Sequence, residues 1–331
     1  MPCSDYDLLC REATTGILSQ DSSECSSNID SLSAAEDESL AGFIEEENNF
    51  VPGFEYLARF QSKSLDANAR EESVAWILKV QEFYGFHPLT AYLSVNYMDR
   101  FLDSQRLPQT NGWPLQLLSV ACLSLAAKME EPLVPSLLDL QVEGAKYIFQ
   151  PRSICRMELL VLGVLDWRLK SVTPLSFLGY FACKLDSTGT FNEFLISRAT
   201  DIILSTIQDS GFLAYRPSCI AAAAILCSAN ETPNWSLTLV KPEHAESWCK
   251  GLRKEKIKGC YQLMQELMID KNRSKPPKML PDLRVTTRTR MRSNVSSLPS
   301  SSSSSSSFPF SYKRRKLDYS LWVDDDKGNS N

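Results

Sequence analysis

Two apolar stretches, each opened by a proline, constrain the fold of this chain more than any other feature. Pro114 and Pro217 both stand directly ahead of a run rich in alanine, leucine and other apolar residues. Proline suits the first position of a helix, and small residues let neighbouring helices approach closely. Because the second run follows the first by about one small domain, the pattern indicates a duplicated helical unit. The sequence therefore predicts an all-α protein built from two tandem five-helix units.

Composition divides the whole chain into four regions. Residues 1–60 are acidic and serine-rich with few periodic apolar positions, so they cannot bury enough surface to offset the entropy of ordering. Helical spacing of apolar residues runs through 61–170 and again through 171–275. Residues 276–331 are basic and serine-rich. We predict a disordered acidic arm, two helical units and a disordered tail.

Residue usage argues against several classes of function. No window approaches the roughly 18 apolar residues that a membrane helix needs, so we expect no membrane contact. His87 and His244 are the two histidines, and the 10 cysteines form no C-x-x-C pair, which is typical of a reducing compartment. The sequence contains no glycine-rich phosphate loop and no nucleophile constellation. We expect no metal, no cofactor and no catalytic residue in this chain.

A charged run closes the first apolar helix, and it contains Lys128, Glu130 and Glu131. Lysine and glutamate are rarely buried, so a cluster of them needs a reason at the end of a helix that is otherwise apolar. At this position the cluster lies on the rim of a rigid bundle, where another protein can reach it. We interpret this rim as a docking surface for a partner protein.

At these residues the chain resembles a cyclin. The resemblance rests on four ordered blocks, which are Ala69-Arg70 through Trp76, Asp99-Arg100-Phe101-Leu102, Lys128-Met129-Glu130-Glu131 and Arg156-Met157-Glu158. It is strong from Ala69 to Leu185 and extends more weakly to Met268. It implies two tandem cyclin folds in a regulatory subunit that activates a cyclin-dependent kinase.

The resemblance also implies roles for individual residues. It makes Arg70 and Asp99 a structural pair inside the first fold, where the loss of one partner would leave an uncompensated charge. It places Lys128 and Glu158 against the kinase, on helices whose apolar positions lie elsewhere, so that neither side chain is expected to fill the core. Glu130 and Glu131 are assigned to the same kinase-binding set.

A substrate-docking groove is predicted less completely. Many cyclins begin their first helix with Met-Arg-Ala-Ile-Leu, which forms an apolar patch for Arg-x-Leu motifs, whereas this chain has Ala69-Arg70-Glu71-Glu72-Ser73. Trp76, Leu115 and Gln116 match the rest of the groove. The resemblance therefore implies a partial groove.

The acidic arm carries a short motif of the form L-x-C-x-E, made by Leu8, Cys10 and Glu12. In an extended chain these three side chains point to one side, so a single groove can read them together. Several other proteins use a segment of this form to bind retinoblastoma-type pocket proteins. A cyclin with such an arm resembles the D-type class. We expect this arm to bind a retinoblastoma-related protein.

The tail carries a basic run of four residues, Lys313, Arg314, Arg315 and Lys316. Such a run suits an importin groove or phosphates. The run has no interleaved aromatic residues, and the chain has no nucleic-acid-binding fold, so we favour nuclear import over direct nucleic-acid binding. We expect a nuclear protein with a cytoplasmic pool.

The full interpretation is a plant D-type cyclin, similar to the D1 subgroup, that directs its kinase to a retinoblastoma-related protein at the G1/S transition. Cyclin-dependent kinase inhibitors and importin are further candidate partners. One alternative is a transcription-associated cyclin or a general transcription factor, because both share the twin-fold architecture. The others are a helical scaffold without a kinase, and a hydrolase in the second unit. Affinity purification followed by a kinase assay separates these hypotheses.

Overall fold

The computed structural model describes residues 40–62, 66–108, 112–141, 143–231, 245–249 and 251–274, with side chains as far as residue 270. In these ranges the chain forms helices and connecting turns. The two tandem helical units predicted from the sequence are present, and each has its own hydrophobic core.

The first unit consists of five helices: α3 (Ala67–Tyr84), α4 (Pro88–Ser104), α5 (Trp113–Glu130), α6 (Leu137–Leu140) and α7 (Pro151–Val164). Local signals set their ends. The Asp66 carboxylate caps the start of α3, and Gly85 ends that helix in the left-handed conformation with φ 66°. Proline occupies the first position of α4 and α7 and the second of α5. The central helix of this unit is α5, whose residues 117–127 are all buried.

The second unit contains a 3₁₀ turn (Pro174–Phe177) followed by α8 (Leu178–Leu185), α9 (Asn192–Thr206), a further 3₁₀ turn (Ser210–Ala214), α10 (Pro217–Asn230) and α11 (Lys254–Ser274). Pro217 opens α10, and residues 217–229 are all buried, so α10 is the central helix of this unit as α5 is of the first. Residues 245–249, between α10 and α11 in the sequence, form one turn.

The predicted end of the acidic arm at residue 60 is wrong. Residues 40–46 form helix α1, which continues into a 3₁₀ turn (Glu47–Phe50), and α2 (Phe54–Gln61) follows. Leu40 and Phe50 are buried in the core of the second unit, whereas Tyr56 is buried in the core of the first. Segments this short are marginal helices by themselves, so tertiary packing stabilises them and composition alone could not reveal them.

Candidate protein-docking site

Lys128 and Glu158 form an ion pair between α5 and α7. The Lys128 Nζ atom lies 2.7 Å from Glu158 Oε1. The lysine side chain is 45% exposed and the glutamate side chain 9% exposed. Lys128 is exposed and directly follows residues 117–127, the continuously buried part of α5.

The burial of Glu158 differs from the expectation that both side chains lie outside the packed core. Glu158 is buried, and its carboxylate accepts a hydrogen bond from the more exposed Lys128. A buried carboxylate is stabilised by such a partner because burial disfavours its charged form. The pair therefore has an internal function as well as an accessible face.

Exposed apolar side chains lie close in sequence to both members of this ion pair, at the end of α5, in the loop that follows α5, and on α7. Those next to Lys128 are Met129, Leu133 and Val134, and those next to Glu158 are Leu159 and Leu160. We call these five residues, with Lys128 and Glu158, the docking face. Apolar groups around a charged pair are typical of a surface that another protein covers, since single exposed apolar residues are common but clusters are not.

The other two predicted members of the kinase-binding set have different surroundings. The Glu131 carboxylate accepts hydrogen bonds from the His87 N–H, at 2.7 Å, and from the Thr90 hydroxyl. It therefore caps the N-terminus of α4, where a negative charge is favourable. Glu130 is half-buried near Tyr97; burial raises the pKa of Tyr97, and the Glu130 carboxylate raises it further. Sequence reasoning did not detect the capping function of Glu131.

The structure brings Arg70 and Asp99 together in the interior of the first unit. Arg70 Nε donates to Asp99 Oδ1 at 2.8 Å and Arg70 Nη2 to Asp99 Oδ2 at 2.7 Å, and each residue is 2% exposed. This is the two-pronged geometry that makes arginine–carboxylate pairs strong. A third guanidinium nitrogen, Nη1, donates to the carbonyl oxygen of Gln208 at 2.9 Å. The pair thus also ties the first unit to the second.

Tyr56 completes this buried cluster from α2. Its hydroxyl donates to Asp99 Oδ1 at 2.8 Å. Burial, and then the Asp99 carboxylate, raise the pKa of Tyr56 well above its ordinary value, so the phenol keeps the proton that it donates. Neither Tyr56 nor Gln208 was predicted. Tyr56 lies in the region assigned to the arm, and Gln208 contributes a backbone carbonyl, which carries no sequence signal.

A loop of the same chain is hydrogen-bonded to residues of the predicted substrate groove. Trp76 Nε1 donates to the carbonyl oxygen of Glu143 at 2.8 Å, and Gln116 Nε2 donates to that of Tyr147 at 3.1 Å. Leu115 is partly buried against the core of the first unit. The side-chain donors of the predicted groove therefore hold the loop between α6 and α7.

Two ion pairs fix the same loop to α3. Lys79 lies 2.7 Å from Glu143, and Lys146 lies 2.8 Å from Glu72. Both pairs are exposed, so each contributes little stability, but together they place mixed charge around Trp76. This is a polar surface rather than the apolar patch of the Met-Arg-Ala-Ile-Leu type.

The remaining predicted sites lie outside the described residues. These are the pocket-protein motif of Leu8, Cys10 and Glu12 and the basic run from Lys313 to Lys316. In the part of the chain that the structure describes, no group of three or more histidine, cysteine or acidic side chains is placed to hold a metal ion. The helices described are also too short or too polar to span a membrane.

Comparison with known proteins identifies both units. The family described as "Cyclin, N-terminal domain" matches residues 38–170, and "Cyclin, C-terminal domain" matches residues 172–301. Cyclin-D1-1 of Arabidopsis thaliana is 57% identical over 99% of this chain and 95% of its own length. Cyclin-D2-1 of Oryza sativa subsp. japonica is 51% identical over 81% of this chain and 87% of its own length.

A solved structure supports the fold independently. The viral cyclin from herpesvirus saimiri superposes with a TM-score of 0.53 at 19% identity, covering 62% of this chain and 86% of the viral one. At this identity the likeness concerns the fold alone. Together with the two matched domains and the sequence relatives, it shows that the chain belongs to the cyclin family, among the plant D-type cyclins.

Proposed function

We propose that this chain is the regulatory subunit of a cyclin-dependent kinase and that the docking face binds the kinase. It would direct the kinase to a retinoblastoma-related protein and so promote the G1/S transition. Members of the cyclin family regulate kinases and are not themselves enzymes. Family membership supports the coarse function, and the Lys128–Glu158 pair within its apolar surround is the observation that carries the assignment to this surface.

The pair is suited to hold a partner segment at two points. Lys128 uses one ammonium proton for Glu158, which leaves donors for carbonyl groups of a partner. Glu158 keeps a second oxygen, Oε2, which can accept from a partner N–H. Charge-assisted hydrogen bonds of this kind, surrounded by apolar contacts, can fix a kinase helix in its active position.

Charge reversal at the pair tests this proposal. Lys128→Glu should weaken kinase association at least tenfold and abolish activation, because removing an interfacial charge partner costs roughly 2–5 kcal/mol. That variant also places two carboxylates together, so a loss of binding alone does not separate docking from folding. The double variant Lys128→Glu with Glu158→Lys restores the internal pair but presents opposite charges to a partner.

The double variant should melt near the wild-type temperature and still fail to bind the kinase. Lys146→Glu is the matched control, since Lys146 also pairs with a glutamate in the first unit, and it should leave kinase binding unchanged. Kinase binding would be measured by titrating the kinase over the immobilised protein. Activation would be measured as kinase activity on a small generic substrate. Wild-type affinity in the double variant would contradict the proposal.

Binding to a retinoblastoma-related protein is assigned to Leu8, Cys10 and Glu12. The double variant Cys10→Ala with Glu12→Ala should abolish that binding while activation on the generic substrate stays near wild type. Recognition of the substrate through the arm is favoured because the Trp76 and Gln116 donors of the predicted groove already bind the α6–α7 loop. Simultaneous loss of both activities would place the motif in the kinase interface instead.

Nuclear import is assigned to the run from Lys313 to Lys316, with a cytoplasmic pool remaining. Replacing all four residues by alanine should shift the protein toward the cytoplasm, because an importin groove recognises the positive charges. Imaging of a fluorescent fusion measures this shift, and unchanged nuclear accumulation would contradict an import role. Importin and cyclin-dependent kinase inhibitors complete the set of proposed partners.

A further inference from the structure

A groove lies between the two units, and neither helix that carries the docking face contributes to its lining. Its walls are the first turns of α3, the end of α9 with the 3₁₀ turn after it, and the C-terminal half of α11. Its volume is about 520 Å³. Pockets of this size hold a small ligand or a few side chains of a partner protein.

Part of the groove is apolar. Leu263 and Leu267 are one turn apart on α11 and therefore lie on the same face of that helix. Both pack against the core of the second unit but are only partly buried, so each keeps some surface toward the groove. An apolar side chain that covers them is favoured because it removes this surface from water.

Four acidic residues line the groove together with the two leucines. They are Glu71 on α3, Asp209 directly before the 3₁₀ turn, and Glu266 and Asp270 on α11. All four are exposed, and none of the described residues that line the groove is a lysine or an arginine. We call these six residues the acidic groove. Its negative potential attracts cationic groups.

The composition of the acidic groove limits the class of its occupant. Its carboxylates repel an anion. A metal ion needs converging ligands, and in the described part of the chain no group of three or more acidic, histidine or cysteine side chains is placed to hold one. Either ion would also leave the leucines uncovered. A peptide segment with both basic and apolar side chains pairs with the carboxylates and covers the leucines.

We propose that the acidic groove docks a short segment of a partner protein in which basic side chains follow an apolar one. The apolar side chain packs on Leu263 and Leu267, and the basic side chains pair with the surrounding carboxylates. The groove shares no residue with the docking face, so this inference goes beyond the proposed function. The segment binds whether or not a kinase is present.

A labelled peptide of sequence Ala-Leu-Arg-Lys-Arg-Ala probes the groove, since it has both kinds of side chain and lacks the Arg-x-Leu motif. Fluorescence anisotropy with the full chain measures its affinity. Glu266→Lys should lower that affinity roughly tenfold, because it removes a charge-assisted partner and adds a repulsive charge. Glu82→Lys is the matched control, since Glu82 is also exposed but does not line the groove. It should bind like wild type, and an equal loss in both variants would overturn the proposal.

A change in the peptide tests the apolar contact without altering the protein. Replacing the peptide leucine by alanine should lower the affinity roughly fivefold, because less apolar surface is buried on the two leucines of α11. This loss should persist at high salt, where the attraction between charges is screened. Equal affinity of the two peptides would mean that charge alone attracts them and would overturn docking in the groove.

Two other occupants have distinct outcomes. Light scattering over a range of protein concentrations detects a second copy of this chain: a wild-type dimer that dissociates in Glu266→Lys would overturn the partner segment. Replacing the tail arginines Arg288, Arg290 and Arg292 by glutamine detects the chain's own tail. A marked rise in peptide affinity would assign the groove to the tail and overturn the proposal, whereas unchanged affinity in a monomeric protein supports it.

Discussion

The two ion pairs of the first unit have similar distances but opposite surroundings. Arg70 and Asp99 are buried, doubly hydrogen-bonded to each other, and held further by Tyr56 and the Gln208 carbonyl. Lys128 and Glu158 share a single hydrogen bond, and the lysine side chain is nearly half exposed. The first pair satisfies its hydrogen-bonding capacity within the chain, whereas the second keeps donors and an acceptor available.

This difference separates structural from docking function better than charge alone. A buried pair with all its partners inside the chain resists change, because removing one member leaves a charge without solvent or counter-ion. A pair on the rim can lose a member at lower cost, because water replaces it. Each of the following predictions tests one side of that contrast.

The largest effect on stability is expected for Asp99→Ala. It leaves the Arg70 guanidinium buried and unpaired, and breaking such a pair typically costs about 3–5 kcal/mol. Urea unfolding followed by circular dichroism measures the loss. The double variant Arg70→Met with Asp99→Leu removes both charges and should recover most of it, so equal destabilisation of single and double variants would contradict the argument.

Tyr56→Phe should have the next largest effect. It removes one neutral donor to the Asp99 carboxylate, and hydrogen bonds to charged groups contribute roughly 1.5–3 kcal/mol. The same unfolding measurement applies. Phe60→Leu in the same helix is a packing control that leaves the hydrogen bond intact, and no loss in Tyr56→Phe would mean that α2 is not coupled to the buried pair.

The sequence predicted the elements that depend on local signals. The prolines at 114 and 217 mark the two central helices, and Asp66 and Gly85 cap the two ends of α3. The Arg70–Asp99 pair was also anticipated from the resemblance, whereas Lys128 and Glu158 were assigned to a partner surface and their ion pair with each other was not predicted. Such features are encoded within a few neighbouring residues or in one motif.

The sequence did not predict features that arise from packing between distant segments. Residues 40–61 appeared too acidic to order, yet Leu40 and Tyr56 each fill a different core. The capping of α4 by Glu131 joins residues 44 positions apart, and the burial of Glu158 depends on how α7 lies on α5. No pattern in one stretch of chain specifies these contacts.

A smaller stability effect is expected at the rim. Lys128→Ala should destabilise the free protein by about 1 kcal/mol or less, because Glu158 lies close enough to the surface for water to reach it once the lysine is removed. Thermal melting measures this in the absence of a kinase. A loss as large as that of Asp99→Ala would show that the rim pair is structural and would remove the contrast between the two pairs.

The smallest effect concerns Glu47, a buried carboxylate held by neutral donors. Its oxygens accept from the Ser218 N–H at 2.8 Å and the Ser218 hydroxyl at 3.0 Å at the start of α10. Burial raises its pKa above the ordinary value of 4.5, and the Ser218 hydrogen bonds and the charge of Arg216 offset this only in part. Glu47 thus shows how a buried carboxylate behaves without the directly hydrogen-bonded arginine that Asp99 has.

The raised pKa of Glu47 determines whether the stability of the protein rises or falls with pH. The folded protein keeps the proton on Glu47 to a higher pH than the unfolded chain, so the stability it contributes is complete below the unfolded pKa and is lost as pH rises through the folded pKa. Glu47→Gln cannot ionise. The melting temperature of wild type relative to Glu47→Gln should therefore fall as pH rises from the ordinary pKa of 4.5 through the raised folded-state pKa, as measured by calorimetry in matched buffers. A constant difference across that range would mean that the pKa of Glu47 is the same in both states, and a rising one would mean that the Ser218 donors outweigh burial.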